Sequence, residues 1–240
     1  MTQTAPAQPP RPRLLVLNPN RTAAMTDAVL HELRRLTDGA VELRGFTCDD
    51  GPPVIASRES FTAGAQAAAR AWPAVDDGWA DAVLLSCYGD PGLAALRAAS
   101  RVPVLGMAES SMLRALARGR PFHIVTAGKS WGPMLHELAA RHAGAWPLLH
   151  GITTLDTTGL AGSQNPAAFS ALVQRALDDL AGAHPAGEAP DCVLGGAGFA
   201  GMRPTLRYDG RLEDGLQTAL AQWRGLHGAR ENAAGSRIES

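Results

Sequence analysis

Residues 81–92 read DAVLLSCYGDPG, and their pattern indicates the fold class. Four consecutive apolar residues, 82–85, are typical of a strand buried on both faces, as in a parallel sheet. Cys87 and a turn rich in glycine follow, and Pro91 suits the first turn of a new helix. The stretch therefore predicts a β-strand that leads through a short turn into a helix, as in a β-α-β unit.

The same alternation of short apolar runs and segments of helical period extends along the chain and predicts an α/β fold. Strands are predicted over residues 14–17, 41–46, 81–86, 102–106, 122–126, 147–153, 191–195 and 205–208. Helices are predicted over residues 23–36, 62–72, 92–100, 110–118, 131–142, 167–181 and 212–224. The helix over 23–36 carries one apolar face that we expect to be buried, formed by Met25, Val29, Leu33 and Leu36.

The two halves of the chain resemble each other. Residues 14–18 (LLVLN) correspond to 123–127 (HIVTA), and 81–84 (DAVL) correspond to 191–194 (DCVL), at nearly the same offset. This predicts two pseudo-symmetric lobes, each a mainly parallel sheet flanked by helices, with the active site in the cleft between them. We expect the first lobe to contain residues 13–107 and 205–226, the second to contain 108–204, and 1–12 and 227–240 to be disordered tails.

Composition excludes several function classes. The 240 residues carry 22 Lys and Arg against 23 Asp and Glu, with no dense basic block, so nucleic acid is not an expected partner. No leader-like or membrane-spanning apolar stretch is present, so we expect no membrane partner and a cytoplasmic protein. Three cysteines without zinc-type spacing predict neither a disulfide framework nor a structural metal site. We expect a small-molecule substrate and a homo-oligomer.

Cys87 is the candidate catalytic residue. A thiol between a strand end and a helix N-terminus has a lowered pKa, because unpaired N–H groups and the helix dipole stabilise the thiolate. The alternative is that Cys87 is a small buried hydrophobe, the common fate of a free cysteine. Cys48 in a loop and Cys192 inside a predicted strand are interpreted as structural.

Polar residues at other strand ends and helix starts are candidates to bind a carboxylate or a ring carbonyl: Asn18, Asn20, Glu109, Ser110, Thr126 and Lys129. Helix capping, or for Lys129 an exposed loop charge, is the alternative for each. The seven histidines show no metal-ligand spacing.

Five segments carry a resemblance to a known family: LNPN at 17–20 with MT at 25–26, GP at 51–52 with Ile55, SCYGDPGL at 86–93, VLGMAES at 104–110 and VLGGAGFA at 193–200. On these residues the chain resembles the aspartate/glutamate/hydantoin racemase superfamily, most closely its hydantoin racemase branch. The resemblance implies no cofactor and two cysteines on opposite faces of a carbon acid, one taking a proton while the other returns one. In this chain Gly196 replaces the second cysteine.

The resemblance implies a catalytic role for Cys87 and, with the strand-end reasoning, substrate contacts at Asn18, Tyr88, Glu109, Thr126, Gly196, Ala197 and Asp209. The leading hypothesis is a cofactor-independent racemase or epimerase acting at the α-carbon of an amino-acid derivative, hydantoin or small carboxylic acid. Asp209, Tyr208 or a water is then the acid/base opposite Cys87.

Two alternatives remain open. One is a single-face decarboxylase or isomerase in which Cys87 only protonates an enolate, and the other is a binding protein without turnover. No metal, pyridoxal phosphate or nucleotide is expected, since the chain has no ligand cluster and no Walker-type loop, and Lys129 is its only lysine.

Overall fold

The computed structural model describes residues 11–142 and 144–235, and within them the strands form two parallel four-stranded sheets. The first sheet contains β1 (Arg13–Asn18), β2 (Glu42–Thr47), β3 (Ala82–Leu85) and β4 (Val104–Gly106), in the spatial order β2-β1-β3-β4. The second sheet contains β5 (Phe122–Ala127), β6 (Leu149–Leu155), β7 (Asp191–Gly195) and β8 (Leu212–Asp214), in the order β6-β5-β7-β8. Because β5 takes the place of β1 and β7 that of β3, the predicted pseudo-symmetric α/β lobes are confirmed.

Helices connect and cover these strands: α1 (Ala23–Thr37), α2 (Arg58–Val75), α3 (Leu93–Ala99), α4 (Met107–Arg118), α5 (Trp131–Arg141), α6 (Gly159–Gln164), α7 (Pro166–Gly182) and α8 (Gly215–Gly235). Single 3-10 turns lie at Trp146–Leu148, Ala197–Phe199 and Arg203–Thr205. The predicted face of α1 is confirmed, since Val29 and Leu33 are fully buried and Met25 and Leu36 are partly buried. No helix among the described residues is long and apolar enough to cross a membrane.

Alternate side chains of each strand enter different cores, as the two-residue period requires. Leu14 and Val16 of β1 belong to a central cluster that also holds Ile124 of β5, together with parts of α1, α4, α5 and α8. Leu15 and Leu17 face an outer cluster with α2 and α3. A second outer cluster packs β5 and β7 against α7. The central cluster therefore joins the two lobes and fixes the strand ends that face each other.

The end of the chain differs from the sequence prediction. Residues 205–208 do not form a strand; the strand is β8, which pairs with β7 of the second sheet through a ladder that begins where Cys192 N–H donates to the Arg211 carbonyl at 2.7 Å. The assignment of residues 205–226 to the first lobe is therefore wrong for β8. The Tyr208 hydroxyl instead donates to the Pro190 carbonyl at 2.7 Å, which holds this segment beside the start of β7.

The predicted tails are only partly within the described residues. The expected C-terminal tail over 227–240 is wrong for residues 227–235, because α8 continues to Gly235 and packs against α4. Residues 236–240 lie outside the described residues, as do residues 1–10 of the expected N-terminal tail. Arg11, the first described residue, forms a 3.5 Å ion pair with Glu42 and so is held against β2.

Candidate active site

A cleft opens where the carboxyl ends of β1 and β3 face those of β5 and β7, the edge at which ligands bind in parallel sheets. Its cavity volume is about 50 Å³. It is lined by Asn20, Met25, Val54, Ile55, Ala56, Ser86, Cys87, Tyr88, Thr126, Ala127, Trp131, Thr158 and residues 159 and 195–199. Six of the candidate site residues named from the sequence therefore meet in one cleft: Asn20, Cys87, Tyr88, Thr126, Gly196 and Ala197.

Cys87 lies just past β3 in a turn that keeps it on the cleft. Ser86 N–H donates to the Leu17 carbonyl at 2.9 Å, which extends the ladder by one residue, and Asp90 N–H donates to the Cys87 carbonyl at 3.0 Å. The helix expected at Pro91 begins two residues later, at Leu93, because Gly92 (φ 82°) turns the chain first. Five residues, 88–92, therefore separate Cys87 from the start of α3, and the predicted placement directly before that helix is wrong.

The electrostatic environment of Cys87 follows from this placement. The residue is only 8% exposed, and its thiol donates weakly to the Tyr88 carbonyl at 3.9 Å. Burial raises the pKa of the Cys87 thiol well above its ordinary value, and the nearby Asp90 carboxylate raises it further. The free protein thus holds Cys87 as a neutral thiol, contrary to the lowered pKa expected from the sequence.

Asp90 anchors the Cys87 turn to the next helix. Its carboxylate accepts hydrogen bonds from the backbone N–H groups of Ala108 (3.1 Å) and Glu109 (2.8 Å), and so caps the start of α4. Burial raises the pKa of Asp90 to about 7. A side chain at Gly106 would come within 2.4 Å of this carboxyl group, so only glycine allows the contact.

The facing edge of the cleft is formed by the end of β7. The Thr126 hydroxyl donates to the Gly195 carbonyl at 2.6 Å, which fixes both residues. Gly196 has an extended backbone (φ 160°, ψ 147°) that other residues also adopt. A Cβ built on Gly196 would lie 3.1 Å from the Phe199 ring. The position is therefore open toward the cleft but tight against Phe199.

Both edges present backbone hydrogen-bond donors. The N–H groups of Cys87, Tyr88, Gly196 and Ala197 donate to no acceptor within the described chain. Unpaired N–H groups at a pocket are suited to stabilise negative charge that develops on a substrate oxygen. The cleft therefore pairs a thiol with candidate oxyanion donors on each side.

Asn18 and Tyr88 are mainly structural in this arrangement. The Asn18 amide is buried beneath the loop after β1, where it donates to the side chains of Asn20 (3.1 Å) and Thr26 (3.0 Å), and it does not line the cleft. The hydrogen bond from Asn18 instead holds Asn20, which does line the cleft. The Tyr88 ring packs so closely against the backbone of Gly195 and Gly215 that a Cβ on either would overlap or crowd it. Burial raises the pKa of Tyr88, so this phenol is neutral.

Glu109 and Asp209 are not brought to the cleft, which corrects the sequence prediction. Glu109 is held in an ion pair with Arg97, because the start of α4 points its side chain outward. Asp209 is exposed and accepts from Gly187 N–H at 3.0 Å, beside the amino end of β7 rather than its carboxyl end. Tyr208 lies at that same end, so neither it nor Asp209 faces Cys87.

The side chains that line the cleft carry no formal charge. None of the described lining residues is Asp, Glu, Lys, Arg or His. Met25, Ile55, Trp131 and Phe199 form an apolar wall, and none of these four was among the substrate contacts predicted from the sequence. Lys129 is exposed and paired with Asp156 at 2.9 Å, outside the lining. Among the described residues, no group of three or more His, Cys, Asp or Glu is arranged to hold a metal ion.

Comparison with known proteins agrees with this geometry. The family model of the Asp/Glu/hydantoin racemases matches residues 14–222. A chain of unknown function from Schizosaccharomyces pombe is 37% identical over 129 residues, which span 52% of this chain and 53% of the relative. A hydantoin racemase from Paenarthrobacter aurescens is 30% identical over 192 residues, 79% of each chain. The allantoin racemase structure from Pseudomonas fluorescens superposes with a TM-score of 0.81 at 24% identity, covering 90% of this chain and 91% of that one. The chain therefore belongs to the Asp/Glu/hydantoin racemase family, on its hydantoin racemase branch, and is an enzyme of the racemase type.

Proposed function

We propose that this enzyme is a cofactor-independent racemase or epimerase in which Cys87 transfers a proton at the α-carbon of an amino-acid derivative, hydantoin or small carboxylic acid. The observation that carries the proposal is the placement of Cys87. It borders a cleft whose other described lining residues, apart from the neutral Tyr88 phenol, have no side chain that titrates near neutral pH. A proton transferred by a side chain in this cleft therefore passes through Cys87.

The uncharged cleft favours a neutral ring over an amino acid with a charged side chain. A dicarboxylic amino acid would leave its second carboxylate without a cationic partner in the described lining, and burying an unpaired charge is costly. A hydantoin is an uncharged cyclic ureide, and relatives of this chain are named for hydantoin and allantoin. Its 5-substituent would contact the apolar wall formed by Met25, Ile55, Trp131 and Phe199.

Deprotonation at the α-carbon moves an electron pair onto the adjacent carbonyl oxygen. The unpaired N–H groups of Cys87, Tyr88, Gly196 and Ala197 are the donors that would stabilise that oxyanion. The sulfur of Cys87 takes the proton on its own face of the planar intermediate. On the opposite face Gly196 offers no acid/base, so solvent water entering beside Gly196 returns the proton there and completes the inversion.

A second candidate is a decarboxylation or isomerisation on one face, and the raised pKa of Cys87 favours it. A neutral thiol is a proton donor. In a malonate-type acid the bond to one carboxylate breaks, CO2 leaves, the electron pair forms an enolate, and the Cys87 S–H protonates the carbon. The resulting thiolate takes a proton from solvent, which restores the neutral thiol, and no group opposite Cys87 is required.

The pH dependence of kcat/KM separates the two reactions. As a base, Cys87 must lose its proton first, so racemisation of an enantiopure 5-substituted hydantoin should keep rising with pH beyond pH 9. As an acid, Cys87 should give decarboxylation of a substituted malonate that is flat over the same range. In deuterated water, racemisation should place deuterium in the inverted product.

Cys87→Ala and Cys87→Ser are the matched variants, since both remove the thiol and the serine keeps a hydroxyl of similar size. Either should reduce turnover by about 10² to 10⁴-fold. Full activity in both variants would remove Cys87 from the mechanism. Tight binding of hydantoins without turnover in the unmodified protein would instead identify a binding protein that has lost catalysis. The cytoplasmic location and a homo-oligomeric state stay predictions, the second open to gel filtration.

A further inference from the structure

A second large groove lies between α1, β8 and α8, and it shares no lining residue with the catalytic cleft. Its volume is about 940 Å³, within the range of pockets that take small ligands. Five arginines line it: Arg35, Arg114, Arg203, Arg211 and Arg224. We refer to it as the arginine groove.

The acidic groups near the arginine groove do not balance these charges. Glu213 is the one acidic residue of the described lining, and both of its oxygens already accept from Arg114 at 2.9 Å and from Arg118 outside the lining. Glu32 is occupied by Arg35. The remaining lining arginines therefore leave a local excess of positive charge on a chain whose formal net charge is -1.

Two of these arginines are held in place by backbone carbonyls rather than by carboxylates. The Arg203 Nε donates to the Leu212 carbonyl at 2.8 Å, and one Arg224 terminal nitrogen donates to the Leu36 carbonyl at 3.2 Å. Arg211 has only a 3.9 Å contact with Glu213. The other guanidinium N–H groups of Arg203 and Arg224 have no acceptor among the described residues. Planar N–H pairs fixed in this way match the oxygens of phosphate or carboxylate groups.

We propose that the arginine groove is a binding site for a small ligand carrying two or more anionic groups, of the polyphosphate or polycarboxylate type. Its concave shape suits a compact molecule, and the guanidinium groups of Arg203, Arg211 and Arg224, which form no ion pair shorter than 3.9 Å among the described residues, suit more than one negative charge. A ligand there would contact Arg203, four residues past Phe199 on the segment that leads away from Gly196.

Calorimetric titration of the full chain with pyrophosphate, ATP and citrate, at about 0.15 M salt, tests the proposal. Pyrophosphate and ATP represent phosphate ligands, and citrate represents carboxylates. We expect saturable binding of one of them with one site per chain. Arg203→Gln, Arg211→Gln and Arg224→Gln should each weaken it by about tenfold or more, as expected for a lost charge-assisted hydrogen bond.

Arg101→Gln is the matched control, since Arg101 is an exposed arginine in the first lobe with no side-chain partner among the described residues. It should leave binding unchanged, as should Cys87→Ala. Arg211→Gln separates weakened binding from loss of folding. The Arg211 side chain makes no hydrogen bond within the described chain, so its removal should leave the fold intact. The proposal would be overturned if none of the three ligands bound saturably, or if Arg101→Gln weakened binding as much as the groove variants do. Loss of binding in Cys87→Ala would also overturn it, as would a change of oligomeric state in the groove variants without a change in binding.

Discussion

Gly196→Cys would place a second thiol at the end of β7, opposite Cys87, and its consequences follow from the local geometry. The new Cβ would lie 3.1 and 3.2 Å from two atoms of the Phe199 ring, so the ring must move by a few tenths of an ångström. Phe199 is 1% exposed and contacts the Phe169 ring at a centroid distance of 5.0 Å, which limits that movement. Overpacking of this kind costs about 1–3 kcal/mol.

The backbone offsets part of this cost. Gly196 is extended, with φ of 160°, so a side chain adds no backbone strain and removes freedom from the unfolded chain. That effect stabilises by about 0.4–1 kcal/mol. We therefore expect Gly196→Cys to lower the free energy of unfolding by about 1–2 kcal/mol and to remain folded. A positioned acid/base on the second face should raise the inversion rate by about 10²-fold or more.

Gly196→Ala is the control, because it adds the same Cβ without a thiol. Both variants should show the same loss of stability in urea titrations, and only Gly196→Cys should invert an enantiopure hydantoin faster, as measured by chiral chromatography in deuterated water. Equal inversion rates in the two variants would refute the assignment of a thiol site to this position. Inversion by the unmodified enzyme as fast as by Gly196→Cys would show that water at the open face is not rate-limiting.

Three further predictions rest on burial and charge in the structure. Cys87 should react with iodoacetamide before Cys48 and Cys192, because it is 8% exposed on the cleft whereas each of the others is 1% exposed; peptide mapping that finds Cys192 labelled first would contradict its place on the cleft. Burial and neighbouring histidines lower the pKa of His123 from 6.5 to about 4. On acidification the unfolded chain therefore binds this proton at a higher pH than the folded protein does. About 3 kcal/mol of stability should be lost as pH falls from 6.5 to 4. In denaturant titrations, the free energy of unfolding of His123→Gln should therefore depend less on pH than that of the unmodified protein. If the two proteins lose stability in parallel as pH falls, His123 is not the source of the loss. Asp90→Asn should lower the pKa of Cys87 and so move the alkaline rise of racemisation to lower pH. It should also lower stability by about 1 kcal/mol, because the cap of α4 becomes weaker. An unmoved pH profile would exclude an electrostatic role for Asp90.

Local patterns were sufficient for most of the fold. Buried parallel strands read as short apolar runs, and the spacing of Val29 and Leu33 marks a helical face, because both signals depend on residues close in sequence. The repeated LLVLN and HIVTA segments extended this to the relation between lobes, and the confirmed strand order follows it. The strand predicted at residues 205–208 was wrong, because this segment forms no strand. Strand pairing depends on the partner, and β7 pairs with Leu212–Asp214 instead.

For the candidate site too, some features could be predicted from the sequence and others depend on tertiary contacts. The internal similarity of the sequence was enough to predict that Cys87 and Gly196 end corresponding strands and so meet across one cleft. Their environment depends on tertiary contacts: burial and Asp90 raise the pKa of Cys87, where the sequence predicted a lowered one. The tertiary structure also turned Glu109 toward Arg97 and left Asp209 at the opposite end of β7. Desolvation, ion pairing and the direction of a side chain are set by residues distant in sequence, so no local pattern contains them.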